Sequence, residues 1–142
     1  MTTSENIDLI AIWRSAREAI TRRDLDALGE LLAPDCEIVP LRAAVDNTVF
    51  RGPHALTEWW AAQDEAWEGM SWAMESTREG PDWVLSIGRL RARGQGSGVP
   101  LDVQAAGIIR FRDGLITSIR VYTNRADALA DLGLAPASES QP

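Results

Sequence analysis

The chain has 142 residues, 45% of them hydrophobic and 25% charged, which is enough for one globular domain with its own core. Its 14 basic and 21 acidic residues give a net charge of −7, which disfavours nucleic acid or an anionic membrane as a partner. A single cysteine, a polar acidic N-terminus and the lack of a long apolar run predict a cytoplasmic protein without a signal peptide. We expect the domain to occupy residues 1–135 and residues 136–142 to form a flexible tail.

Two helices are predicted before any strand. Ser4 is the expected N-cap of the first, in which apolar residues recur at helical spacing and a pair of arginines at positions 22 and 23 favours the C-terminal end. Asp24 is expected to cap a shorter second helix that Pro34 stops. A strand over residues 37–41 and an irregular segment through residue 47 follow.

The segment over residues 50–67 is the most distinctive part of the chain. Gly52 breaks the preceding segment, and Pro53 suits a first helical turn because proline lacks the N–H that would stay unpaired there. At helical spacing, one side of the following helix is predicted to be an apolar stripe, formed by Leu56, Trp59, Trp60, Gln63 and Trp67. Because an indole buries a large area and carries an N–H that needs a partner, this stripe is expected to face a deep core or a cavity.

Four strands are predicted after Gly69, where apolar and polar residues alternate. They cover residues 70–77, 83–94, 101–112 and 115–123. Asp113 and Gly114 separate the last two strands and are a strong signal for a two-residue hairpin. Asn124 can cap a closing helix over residues 125–132. This order of elements predicts an α+β domain with helices on one side of an antiparallel sheet.

The alternation assigns arginines to one face of the sheet and apolar residues to the other. The residues at the centre of the apolar face are small, namely Gly88, Ala105 and Gly107. They either make room for indoles or leave a pocket. The outer face is expected to pair with a second subunit in a homodimer, simply to stay hydrated or, third, to bind an anionic ligand. Its arginines are Arg89, Arg91, Arg93, Arg110, Arg112 and Arg120.

Four segments, in this order, resemble the nuclear transport factor 2-like superfamily, and its SnoaL-like branch in particular. They are Arg-Arg-Asp-Leu-Asp-Ala-Leu (22–28), Leu-Leu-Ala-Pro-Asp-Cys-Glu-Ile (31–38), Arg-Gly-Pro-His-Ala-Leu (51–56) and Arg-Phe-Arg-Asp-Gly-Leu-Ile (110–116). The resemblance implies a single α+β domain of cystatin-like shape, in which a cone-shaped, curved antiparallel sheet wraps around the N-terminal helices and encloses an apolar cavity.

The resemblance also implies where catalytic groups would stand, because the superfamily includes ketosteroid isomerases, polyketide cyclases and limonene epoxide hydrolases. The isomerase general base aligns with Pro40, the acid of the oxyanion hole with Gly107, and its tyrosine with Ala16. The final-strand aspartate of the epoxide hydrolases aligns with Val121. Since all four positions lack the required group, the usual isomerase chemistry is not expected.

The remaining polar candidates each have two interpretations. His54 is the only histidine, which excludes the usual metal clusters and most catalytic triads; it is either a general base or an exposed first-turn residue. Cys36 is either a nucleophile or a small buried hydrophobe. Arg42 and Asp46 are either polar groups at the pocket or solvated loop residues, and Gln63 needs a partner among the indoles. No cofactor or metal is expected.

These observations predict a pocket for an apolar, cyclic small molecule, lined by Trp13, Trp59, Trp60, Gln63, Gly107, Ile109, Ile119 and Val121. Three functions remain open. An isomerase, cyclase or hydrolase would use Arg42 and Gln63 to polarise the ligand and His54 or Asp46 as base. The others are a binding protein without turnover and a dimerisation domain filled by its own tryptophans.

Overall fold

The computed structural model describes residues 8–40, 48–52 and 54–134, which form four helices and six strands. In chain order they are α1 (Leu9–Arg22), α2 (Leu25–Leu31), β1 (Leu32–Val39), β2 (Phe50–Arg51), α3 (Ala55–Ala66), β3 (Trp67–Glu79), β4 (Trp83–Gly94), β5 (Pro100–Arg112), β6 (Leu115–Tyr122) and α4 (Arg125–Asp131).

The strands form one curved, open sheet in the order β2-β1-β6-β5-β4-β3. Strands β3 to β6 make the predicted antiparallel meander, and register shifts in β3–β4 and β5–β6 bend it. The α+β class and the curved sheet around N-terminal helices are therefore confirmed. One strand pair differs from the expected antiparallel pattern, because β1 runs parallel to β6. A parallel pair needs a long connection, and the five elements between β1 and β6 provide it.

Side-chain caps fix three of the helix starts. Asp24 accepts a hydrogen bond from the Ala27 N–H and Asn124 accepts one from the Asp127 N–H, as predicted. The N-cap of α1 is Asp8, whose side chain accepts from the Ala11 N–H, whereas Ser4 lies outside the described residues. Helix α2 ends before Pro34, because β1 already pairs with β6 from residue 32.

The tryptophan-rich helix is shorter than its apolar stripe suggested. Helix α3 ends at Ala66, and Trp67 has the extended φ and ψ of −136° and 150°. Trp67 pairs with Gly94 across β3 and β4, so sheet pairing takes it out of the helical stripe. Gly69, expected as a break, lies inside β3 at a register shift with a φ of 60°, a conformation that glycine tolerates. Pro53 lies outside the described residues.

Both faces of the sheet carry a buried apolar cluster, which corrects the expected division into one apolar and one arginine-bearing face. The inner face packs against α1, α2 and α3. On the outer face, α4 covers a second apolar cluster, formed by Leu85, Ile87, Ala106, Ile108, Ala128 and Leu129. Arg110, at the edge of this cluster, pairs with Asp131 of α4. Arg91, Arg93 and Arg112 are exposed further out on this face.

Carboxylates of the same chain pair with several of the outer-face arginines. Arg89 lies 2.8 Å from Asp102, and Arg112 lies 3.1 Å from Asp35. The hydrogen bond from Arg89 also holds the pKa of Asp102 below its ordinary value. These arginines therefore have partners without a second subunit, and the homodimer stays a prediction.

Candidate functional site

A partly enclosed cavity of about 150 Å³ lies between the helices and the inner face of the sheet. A cavity of roughly 150 Å³ engineered in another protein holds one benzene molecule, so this space matches a single ring. The lining consists of Trp13, Arg17 and Ile20 of α1, Ile38 of β1, Leu56 and Trp59 of α3, Met70 and Trp72 of β3, Leu90 of β4, and Ile119 and Val121 of β6.

The spacing of residues along the helices and strands explains which side chains line the cavity. In α1, steps of four and three residues bring Trp13, Arg17 and Ile20 to one side of the helix. In the strands, a step of two residues keeps neighbours such as Ile119 and Val121 on the inner face. The cavity therefore depends on surfaces from six elements that are far apart in the chain.

The indole of Trp72 lies across the small residues at the centre of the sheet. A Cβ at Gly88 would stand 2.5 Å from Trp72 Nε1, and a Cβ at Gly107 would stand 2.9 Å from Trp72 Cη2. The two glycines thus make room for an indole, but one that comes from β3 and not from helix α3. Sequence reasoning missed Trp72 as a pocket residue, although strand alternation from Met70 places both on the same face.

Two of the indole N–H groups differ in their partners. Trp13 Nε1 donates to Ser86 Oγ at 3.1 Å, and Ser86 is fully buried with its Oγ 3.3 Å from Met74 Sδ. Trp72 Nε1 is buried and has no hydrogen-bond partner within the described part of the chain. An unpaired buried donor costs about 1–3 kcal/mol. The packing of the Trp72 indole must therefore outweigh this cost to hold it in place.

Replacing Ser86 with alanine is expected to lower the free energy of unfolding by about 1–3 kcal/mol, because it leaves Trp13 Nε1 buried without an acceptor. Ser15→Ala, an exposed change on α1, should stay within about 0.5 kcal/mol of wild type. Urea denaturation of Ser86→Ala, Trp13→Phe and the double variant measures the coupling. Additive effects in this cycle would show that the hydrogen bond contributes nothing.

Arg17 is the one charged side chain in the described lining of the cavity, and sequence reasoning did not select it. Burial lowers its pKa below the ordinary arginine value; neighbouring Arg14 lowers it further, and Glu18 acts in the opposite direction. Among the described residues, no carboxylate forms an ion pair with Arg17 and no acceptor takes a hydrogen bond from it. The helical step of four residues from Trp13 is the signal that would have found it.

The structure brings together four of the eight predicted lining residues, namely Trp13, Trp59, Ile119 and Val121. The other four belong to its surroundings, and packing explains the difference. Ile109 is completely buried in the core beside the cavity, and Gly107 lies beneath the Trp72 ring.

The last two predicted lining residues, Trp60 and Gln63, lie on α3 and contact other side chains. Gln63 Nε2 lies against Met70 Sδ, so the amide has a neighbour within the protein. The guanidinium of Arg23 lies 5.7 Å from the centre of the Trp60 ring and also binds Asp64. The hydrogen bond between Arg23 and Asp64 raises the pKa of Arg23 and lowers that of Asp64. Trp60 is therefore engaged with an exposed ion pair instead of the cavity.

The candidate catalytic residues do not meet in the described structure. His54 is exposed at the N-terminal end of α3 and caps it with no side-chain hydrogen bond, and Arg42 and Asp46 lie outside the described residues. Cys36 is buried, and burial raises the pKa of its thiol to about 12, so it remains a thiol at neutral pH. Within the described lining there is no carboxylate and no imidazole.

Residues 8–40, 48–52 and 54–134 contain neither a metal-binding cluster nor a membrane-spanning helix. No three side chains of histidine, cysteine, aspartate or glutamate are grouped closely enough to hold a metal ion there. None of the helices described in those ranges is long and apolar enough to cross a membrane.

The sequence profile of the SnoaL-like domain family matches residues 13–119, which include every lining residue of the cavity except Val121. The chain belongs to the SnoaL-like domain family. The resemblance seen in the sequence is therefore confirmed, and the α+β fold with a curved, open sheet described above agrees with it. A comparison with curated protein sequences gave no match.

Solved structures agree with this family at the level of the fold. A nuclear transport factor 2-like protein of unknown function from Burkholderia pseudomallei is 18% identical, with a TM-score of 0.71 over 86% of this chain and 95% of that one. A putative SnoaL-like polyketide cyclase from Jannaschia is 18% identical, with a TM-score of 0.69 over 94% and 93%. A hypothetical protein of ketosteroid isomerase-like fold from Catenulispora acidiphila, solved with trimethylamine, is 25% identical, with a TM-score of 0.67 over 92% and 97%.

Proposed function

We propose that this SnoaL-like domain binds a small, apolar, cyclic molecule of about one ring in the cavity between its helices and its sheet. The observation that carries the proposal is the space of about 150 Å³ bounded by indole and aliphatic side chains. A domain whose tryptophans filled its own core would have no such space. This favours a ligand-binding protein over a purely structural association domain.

The lining suits a flat, apolar ring. Trp13, Trp59 and Trp72 offer aromatic surfaces, which interact with a second ring in stacked or edge-to-face geometry. Apolar area removed from water contributes about 25 cal/mol per Å², so a ring enclosed on several sides is held mainly by the hydrophobic effect. Ligands with several fused rings exceed the volume.

Binding without turnover is the form of the proposal that the described residues support. Isomerase, cyclase or hydrolase chemistry requires a group that accepts a proton at the ligand, and the described lining supplies none. The Jannaschia relative is described as a putative polyketide cyclase, but at 18% identity it supports the fold alone. Asp46 as base and Arg42 as polarising group remain candidates for a catalytic version of this domain; both lie outside the described residues.

The Catenulispora relative raises a second class of ligand, since it was solved with trimethylamine. Aromatic rings attract such a cation when it is protonated. In this chain, however, Arg17 contributes a positive charge to the same cavity and would repel it. We therefore expect trimethylammonium to bind more weakly than a neutral ring of similar volume.

The test is a titration of the folded protein with toluene and naphthalene, followed by tryptophan fluorescence and calorimetry. We expect saturable binding of toluene and weaker binding of naphthalene. Val121→Phe should reduce toluene affinity by about tenfold or more, because the added ring occupies cavity volume. Val99→Phe is the matched control: Val99 is 62% exposed, and its variant should bind as wild type does. Folded wild type that binds no ring-sized probe would overturn the proposal.

A further inference from the structure

We infer that the ligand is a monocyclic aromatic acid, whose ring enters the apolar cavity and whose carboxylate binds the guanidinium of Arg17. This inference rests on the function proposed above and adds the chemical class of the ligand. It also assigns Arg17 as a binding residue, which the alignment with known catalytic positions does not do.

The burial of the lining residues distinguishes a deep end of the cavity from a side nearer to solvent. Trp13, Ile38 and Leu56 line it with no more than 5% of their surface exposed, which marks the deep end. Arg17 and Ile20, one and two turns further along α1, are only half-buried and mark the side nearer to solvent. An amphipathic ligand fits this arrangement with its ring inside and its polar group at Arg17.

In the part of the chain that the structure describes, Arg17 lacks the carboxylate partner that several more exposed arginines have. Arg23, Arg51 and Arg112 each lie against a carboxylate, at Asp64, Glu37 and Asp35 respectively, although all three are largely exposed. Arg17 is more buried than these and contacts no carboxylate within the described residues. A partly desolvated cation beside an apolar space is stabilised by an anion that enters that space.

The charges around Arg17 favour the same conclusion. Arg14 adds positive charge and Glu18 opposes it, and both lie on the outer, exposed part of α1. The cavity lining itself contributes no negative charge among the described residues. A guanidinium presents parallel N–H donors that match the two oxygens of a carboxylate. A carboxylate is therefore the acidic group that we expect on a one-ring ligand.

The experiment compares phenylacetate, toluene and benzylammonium, which share one ring and differ in charge, at constant ionic strength. Wild type should bind phenylacetate about tenfold more tightly than toluene, and benzylammonium the least. Arg17→Met should lose the preference for phenylacetate over toluene. Arg125→Met removes the same unit of charge from α4, which lies on the other face of the sheet, and should retain the wild-type order.

The possible results separate the two proposals. If no probe binds to folded protein, the ligand-binding function itself fails. If toluene binds but phenylacetate has no advantage, or if Arg17→Met keeps that advantage, the cavity binds rings and the inference about the acid is overturned. Arg17→Lys, which retains the charge without the paired donors, should give an intermediate preference. Circular dichroism of each variant excludes loss of folding as the cause.

Discussion

Alanine in place of Gly88 is expected to lower the free energy of unfolding by about 2–3 kcal/mol or more, although it adds only one methyl group. The new Cβ would stand 2.2 Å from the Ala73 backbone oxygen on the neighbouring strand and 2.5 Å from Trp72 Nε1. The indole can turn away only by leaving its position over the sheet, and the backbone oxygen can move only by shifting β3. We therefore expect lost stability together with a changed environment for Trp72.

Gly29→Ala is the matched control for this substitution. Gly29 lies within α2, and a Cβ built there meets no atom within 4 Å. Because alanine is the better helix former, this variant should be about 0.5–1 kcal/mol more stable than wild type. Denaturant unfolding followed by fluorescence and circular dichroism measures both. Equal effects of the two substitutions would contradict the packing described at Gly88.

Trp72→Ala is expected to change which ligands the cavity accepts. The indole lies between the cavity and the glycines at 88 and 107, so its removal adds the space of a two-ring group. Naphthalene should then bind at least about tenfold more tightly than it does to wild type, because a second ring becomes buried. We expect a stability loss of about 2–3 kcal/mol, since the lost packing is partly offset by removal of an unpaired N–H.

Trp83→Ala separates the cavity effect from a general loss of packing. Trp83 lies on the outer face, packed against the cluster beneath α4, so its removal should also destabilise the domain. It should leave the preference between toluene and naphthalene unchanged. Calorimetric titration of both ligands into the two variants makes the comparison. Equal gains in naphthalene affinity for both variants would show that Trp72 does not limit the cavity.

Local sequence signals identified most elements because each rests on neighbouring residues. Asp24 and Asn124 cap helices through a hydrogen bond three residues away, and Asp113 with Gly114 closes the β5–β6 hairpin. Errors arose where long-range pairing decided the outcome. Trp67 fits the helical stripe by spacing, yet it pairs with Gly94 and joins the sheet.

The candidate site was only partly predictable for the same reason. Trp13 and Val121 could be chosen because helical and strand periods alone place them on inner faces. The indole chosen as a second cavity residue of α3, Trp60, instead lies beneath Arg23, which a different helix contributes. Which indole reaches a cavity depends on the helix orientation against the sheet, and no local pattern encodes that.

The family, the order of the helices and the antiparallel meander, and the inner faces rich in tryptophan could all be predicted from the amino-acid sequence. Those features follow from caps, turns and residue periods, which act over a few residues. Three further features could not be predicted from local patterns: Trp72 covers the glycines, Ser86 accepts the hydrogen bond of Trp13 Nε1, and Arg17 faces the cavity without a carboxylate partner among the described residues. Each of these depends on side chains from separate elements meeting in space, which packing of the whole domain establishes.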